Sequence, residues 1–223
     1  MRKKLLLAFT FFTVLSTIFV GGSYAYAATF GKTTDGTNVQ TFSGDRIYLS
    51  TATPGTSGTV TSGNGRVRVT SASTAAMRMV IFADNGGTPN GGAFLAMSDE
   101  VSVNWTTSTD TNFPFSGANQ ITLTAGTPYW IGFWADDPGT PSYEYKRDNN
   151  ANVNHFASEA YPGSGTPTSP FTSGGTANGP LNAYITYTET SSNIKTINGL
   201  AKASVKTRNG VAIASIMRVN GLQ

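Results

Sequence analysis

Two tryptophans, Trp130 and Trp134, stand in the most apolar run of the chain, Leu123 to Trp134, which reads LTAGTPYWIGFW. β-Branched and aromatic residues behind an Ala125-Gly126 turn signal predict a strand over Thr127 to Trp134. Successive strand side chains point to opposite faces. Tyr129, Ile131 and Phe133 therefore share one face, and Trp130, Gly132 and Trp134 share the other. At the usual rise the two indoles sit roughly 13 Å apart, with Gly132 leaving a shallow gap between them. Rings flanking a gap suit the flat apolar faces of sugars, with Asp, Asn and Tyr side chains nearby to bond the hydroxyls. Tyr143 and Tyr145 extend the set, so the candidate ligand contacts are Trp130, Trp134, Tyr143 and Tyr145. The same four residues could instead fill a core, as large aromatics do when their polar ends find partners. Both readings follow from the pattern.

Covalent catalysis has little to work with. The chain holds one histidine, His155, and no cysteine. A serine triad would need His155, which lies in a stretch read as a polar loop, and no serine stands in a G-x-S-x-G turn. Zinc held by histidines or thiolates is excluded by the same counts. The carboxylate pairs Asp99-Glu100 and Asp136-Asp137 are chain neighbours, which point apart on a strand, whereas a glycosidase pair must converge across a cleft. The glycines after Asp84 lack the lysine of a phosphate-binding loop. The expectation is a protein that is not an enzyme and needs no cofactor. Calcium is the one possible ion: Asp84, Asp136 and Asp137 offer hard oxygen ligands from loops, without the spacing of a known calcium loop.

The elements that would position these residues are short strands. Asp45 to Ser50, Arg66 to Thr70, Glu100 to Trp105, Gln120 to Thr124 and Leu181 to Thr188 alternate apolar with polar residues, and Ala76 to Ala83 is more continuously apolar. Ala28 to Thr41 reads as an arm or first edge strand, and Ala93 to Met97 and Ser142 to Lys146 as further strands. Gly, Pro and Asn clusters separate them, at Thr53-Pro54-Gly55, Ser62-Gly63-Asn64-Gly65 and Asp84 to Gly92, with a long polar loop from Asp148 to Gly179. No helical spacing persists over three turns between Thr29 and Thr190. Many short alternating strands predict an all-β, antiparallel, jelly-roll-like sandwich.

Residues 1–27 read as a signal peptide: Arg2, Lys3 and Lys4, an apolar core from Leu5 to Val20, and a cleavage site at Ala25-Tyr26-Ala27. The apolar run is short for a membrane span, and none follows it, so a secreted, cell-surface protein beginning at Ala28 is expected. Without cysteine, stability must come from core packing. The formal charge of +3 divides unevenly. All the acids lie between Ala28 and Thr190, where they outnumber the bases. From Ser191 onward there are only bases: Lys195, Lys202, Lys206, Arg208 and Arg218. That basic part carries no aromatic residue to stack a nucleobase, so nucleic acid is not an expected partner. The tail, residues 191–223, repeats every eleven residues, KTINGLAKASV then KTRNGVAIASI, with Asn-Gly at 198–199, 209–210 and 220–221. Asn-Gly favours two-residue hairpin turns, which predicts a short β-meander; an eleven-residue period also suits a helix, at a cost of about 1 kcal/mol per glycine. The outer strand of such a ribbon is a ready site for self-association.

Two segments, IFADNGGTPNGG at Ile81 to Gly92 and LTAGTPYWIGFW, together resemble a strand–turn pattern of secreted bacterial β-sandwich modules of the carbohydrate-binding-like or choice-of-anchor type. The resemblance spans Asp45 to Thr188 and implies a jelly-roll-like, non-catalytic surface module. It carries no defined ligand site to this chain. The expectation is binding to glycan or cell-envelope polysaccharide; the alternative is a structural subunit of an extracellular filament or layer, joined through sandwich edges and the tail.

Overall fold

The computed structural model describes residues 26–70, 74–104, 109–137, 142–161 and 165–190, with 196–197, 200–201, 207–208 and 211–212 of the tail. The expected signal peptide therefore lies outside the described residues up to position 25, as does Trp105. Residues Tyr26–Thr190 form one compact unit, and Met1–Ala25 and Ser191–Gln223 fall outside it.

The unit is an antiparallel β-sandwich. In chain order its strands are β1 Ala27–Gly31, β2 Asn38–Phe42, β3 Arg46–Ala52, β4 Gly58–Val69, β5 Thr74–Ala83, β6 Phe94–Met97, β7 Val101–Asn104, β8 Thr109–Pro114, β9 Thr122–Leu123, β10 Tyr129–Ala135, β11 Tyr143–Ser158, β12 Gly175–Leu181 and β13 Ala183–Glu189, with one 3-10 turn at Gly117–Asn119. The ladder runs β1-β13-β4-β11-β3-β10-β5-β6, with β8 and β9 also on β4, β2 and β12 on β11, and β7 on β5. The sixteen-residue β11 joins the two layers: Tyr143 to Arg147 pairs with β2, and Asn154 to Ser158 pairs with β3.

Inward side chains of both layers meet in one cluster that includes Phe30, Val60, Phe113, Ile185 and Tyr187 from the first and Met77, Met79, Ile131 and Phe133 from the second. Phe113 of β8 meets Phe133 of β10 with ring centroids 5.8 Å apart. Two glycines of β4 make this approach possible: a Cβ on Gly63 would strike Met79, and one on Gly65 would strike the Phe133 ring. This corrects the turn expected at Ser62 to Gly65. Those glycines sit inside a twelve-residue strand, where the missing side chains admit the facing layer.

β10 is the centre of the second layer, between β3 and β5, and all seven of its residues are buried. Its two faces separate as the alternation predicts. Tyr129, Ile131 and Phe133 join the inter-layer core, while Trp130 and Trp134 join a second cluster with Ile47, Leu49, Val80, Phe82 and Phe171. The expected polar loop from Asp148 to Gly179 is strand at both ends: β11 runs on to Ser158, and Gly175–Leu181 forms β12 beside it. His155 is therefore a half-buried strand residue. β8 was hidden from the sequence pattern because one residue, Phe113, is its clear apolar anchor.

In the tail, β14 Thr196–Ile197 pairs with β15 Leu200–Ala201, and β16 Thr207–Arg208 pairs with β17 Val211–Ala212. Each two-stranded pair brackets one Asn-Gly position, an extended rather than helical use of the repeat. The turn residues themselves and the third Asn-Gly lie outside the described residues. No helix among the described residues is long and apolar enough to cross a membrane.

Candidate functional site

The aromatic shelf is covered by the chain's own loop. Trp130 is 3% exposed and Trp134 0%. After β11 the chain crosses the outer face of β10 and lays Tyr161 against Trp134, ring centroids 4.9 Å apart, and Phe171 against Phe82, 5.2 Å apart. The glycine-rich turn after β5 fastens this cover: Gly91 N–H donates to the Phe171 carbonyl (2.8 Å), Phe171 N–H to the Gly92 carbonyl (2.9 Å), and Ser173 N–H to Asn90 Oδ1 (3.1 Å). Each indole also has an internal acceptor. Trp130 Nε1–H donates to Asp84 Oδ1 at 2.7 Å, and Trp134 Nε1–H to the Glu159 carbonyl at 3.1 Å. The two tryptophans are thus a second core layer, and the place proposed for a sugar ring is filled by Phe171 and Tyr161.

Tyr143 and Tyr145 are buried as well, and lie in the other cluster, so the structure does not bring the four aromatic candidates onto one surface. Tyr143 stacks on Phe42 (5.1 Å), and its hydroxyl donates to the Asp136 carbonyl at 2.8 Å. Burial pushes the Tyr143 and Tyr145 phenols well above their ordinary range, helped at Tyr143 by the negative charge of Asp136.

The candidate calcium ligands are also separated. Asp84 follows the end of β5 that pairs with Tyr129, whereas Asp136 and Asp137 follow the opposite end of β10. A seven-residue strand separates them, roughly 20 Å, so the three carboxylates do not converge on one ion. Both Asp84 oxygens accept protein donors, Trp130 Nε1–H and the Gly87 N–H. Among the described residues no three His, Asp or Glu side chains are grouped to hold a metal.

His155 Nδ1 lies 3.0 Å from Ser173 Oγ, and its ring meets Trp130 edge-on at 5.0 Å. Ser173 Oγ in turn lies 3.1 Å from the Gly175 carbonyl, which it can reach as donor. The pair ties the covering loop to β11. Burial lowers the affinity of His155 for a proton.

A cleft of about 350 Å³ opens where β1, β3 and the β12–β13 corner meet, lined among others by Lys32, Ser50, Ala52, Ile131 and Leu181. Two of its polar side chains, Ser50 and Lys32, are engaged internally. Ser50 Oγ accepts the Leu181 N–H at 2.9 Å and donates to Asn154 Oδ1, and Lys32 Nζ lies 2.9 Å from Asp148 Oδ2.

The arrangement with free polar groups is on the outer face of the first layer. Phe30, Ile185, Val60 and Phe113 point into the core, so their neighbours point out. Pairing aligns those outward residues in three rows, each crossing β1, β13 and β4 and ending on β8 in the first two and on β9 in the third. The rows are Gly31, Tyr184, Asn64 and Asn112; Thr29, Thr186, Ser62 and Pro114; and Ala27, Thr188, Thr59 and Thr122. The grid measures about 4.8 Å between strands and about 7 Å along them. It carries hydroxyls and amides and no charged side chain. The first ion pairs, Arg66 with Asp35 and Asp110, stand at its margin. Sequence alternation marks Thr186 and Thr188 as outward, but Thr59 falls in the stretch read as turns, and the alignment of all three depends on strand pairing that a single chain's pattern does not reveal.

The fold thus defines an antiparallel, all-β sandwich with an uncharged polar face on one layer. No family model matches the chain, and no curated protein matches it. Among solved structures it is similar to one described as "Structure of infectious bursal disease virus Gt strain", at 16% identity and a TM-score of 0.30. That likeness covers 73% of this chain, which spans 40% of the other.

Proposed function

We propose that this is an exported, non-catalytic module that binds neutral glycan at the cell exterior through the outer face of β1, β13, β4 and β8. The observation that supports this reading is the three-row grid of Thr, Ser, Asn and Tyr side chains. Hydroxyls donate and accept, and side-chain amides do both from fixed positions, which matches the dense hydroxyls of a sugar chain. An open sheet face of several strands suits an extended polysaccharide better than a single sugar in a pocket. The half-buried ring of Tyr184 adds an apolar surface within the first row. Low charge also favours a neutral ligand: charged residues make up 12% of the chain, about half the usual share.

The test is retention of the exported protein on insoluble neutral polysaccharides and a glycan array. Thr186→Glu places a carboxylate at the centre of the grid and should weaken binding at least tenfold, about 1.4 kcal/mol. If the wild type is retained on none of these glycans, the reading fails. A second reading, a structural subunit of an extracellular layer or filament, is favoured by the unguarded edge of β1.

A further inference from the structure

We propose that a second copy of the chain pairs with the first edge to edge along β1, antiparallel and two-fold about Thr29. β1 pairs with β13 on one side, through partners from Ala27 with Thr188 to Gly31 with Tyr184. The bonds that fix which groups face β13 run from Glu189 N–H to the Tyr26 carbonyl (2.8 Å) and from Lys32 N–H to the Ala183 carbonyl (2.9 Å). Backbone bonds alternate along an antiparallel pair. Tyr26, Ala28, Phe30 and Lys32 therefore bond inward, and the N–H and C=O groups of Ala27, Thr29 and Gly31 point away from the sheet. Among the described residues nothing pairs with that outer edge.

Proteins guard such edges with charges, prolines or bulges. β8 carries Asp110 and Pro114, and β12 carries Pro180. β1, reading AATFG, carries none of these. A two-fold at Thr29 sets Thr29 against its own copy, Ala28 against Phe30 and Ala27 against Gly31. Two Thr29 residues then exchange both backbone bonds, and no like charges meet. Removal of the expected leader takes away Ala27 and its pairs with Gly31, and leaves the central Thr29–Thr29 exchange, flanked by Ala28 and Phe30, as the contact of the exported chain. The partner continues each outward row: Thr186 and Thr29 of one copy meet Thr29 and Thr186 of the other, across a sheet twice as wide. The pairing stands on strand geometry; the doubling of a binding face rests on the glycan reading above.

Sedimentation velocity of the exported protein over a concentration series tests it. The wild type should pass from monomer to dimer as concentration rises. Thr29→Pro removes an outward donor and leaves the β13 ladder intact, since proline is tolerated where the N–H of an edge strand faces solvent. It should shift dimerisation at least tenfold toward monomer at an unchanged thermal midpoint. Thr29→Lys, which sets two like charges opposite each other, should do the same and serves if the proline variant fails to fold. A wild type that stays monomeric throughout, a Thr29→Lys variant that dimerises like wild type, or open polymers in place of a dimer, as pairing of β1 with the uncharged edge of β2 would give, overturns the proposal. Glycan retention is measured separately on the wild type, because Thr29 itself belongs to the grid. Absence of retention there would count against the glycan reading and leave the dimer result standing.

Discussion

Replacing Trp134 with alanine separates a tryptophan that holds the fold from one that would greet a ligand. Trp134 is 0% exposed, touches Tyr161 at 4.9 Å and donates to the Glu159 carbonyl. Its removal empties the space between β10 and the covering loop and leaves that carbonyl short of a donor. Buried Trp→Ala changes cost about 3–5 kcal/mol, and a lost bond to a buried acceptor adds about 1 kcal/mol. Roughly 4–6 kcal/mol is a large part of the 5–15 kcal/mol by which domains are stable. For a domain of this size each kcal/mol moves the midpoint by about 2–4 °C, so the expected fall is about 8–24 °C. Urea unfolding followed by circular dichroism, extrapolated linearly, measures the free energy without relying on the deleted indole. Trp134→Phe should lose markedly less. A Trp134→Ala variant within about 1 kcal/mol of wild type would refute the claim that the second tryptophan face is core.

Further outcomes follow from the same contacts. Gly132→Ala should prevent folding or cost several kcal/mol, because a Cβ there meets the Tyr48 carbonyl oxygen of β3; expression and thermal melts check it. Asn154→Ala should cost about 1–3 kcal/mol, since Asn154 is fully buried, accepts from Ser50 and donates to the Asn178 carbonyl at 2.7 Å; chemical denaturation reads it. His155 is held below its ordinary value of 6.5 by burial, so the unfolded chain takes up its proton first. The stability from neutral His155 is complete above about pH 6.5 and declines as pH falls from there toward the lower folded value; melts from pH 8 to 4.5 should show a slope that His155→Gln lacks. The Tyr143, Tyr145 and Tyr161 phenols are raised by burial. Stability should therefore fall as pH rises above 10, where only the unfolded chain ionises these groups, and ultraviolet titration should find them protonated beyond that point until the protein unfolds.

The sequence pattern was most legible where a strand's two faces differ or where both are apolar. β10 was placed within two residues at its start, and its two faces were assigned correctly, because YWIGFWA has no polar position to confuse the alternation. The reading of β5 lies within two residues because its run from Ala76 to Ala83 is apolar except at Arg78. The pattern failed where pairing overrides composition. Asn150 to Ser158 and Gly175 to Gly179 look like loop, yet they pair with each other, and the first of them also pairs with β3. Ser62 to Gly65 looks like a turn, yet its glycines are spaces for Met79 and Phe133. Whether Trp130 and Trp134 faced solvent was not legible, because alternation gives the side of the sheet and says nothing of a loop returning to cover it. Phe171 and Tyr161 supply that cover from more than 25 positions away in the chain. The polar grid was invisible for a related reason: it joins four separate strand registers, none of which a single chain spells out.

The most direct measurement is parallel retention of wild type, Thr186→Glu and Trp134→Phe on an insoluble neutral polysaccharide at a temperature where all three are folded. The account predicts that wild type and Trp134→Phe are retained alike and that Thr186→Glu elutes at least tenfold more readily. Retention lost with Trp134→Phe and kept with Thr186→Glu would contradict it, returning the contact to the tryptophans that the fold encloses.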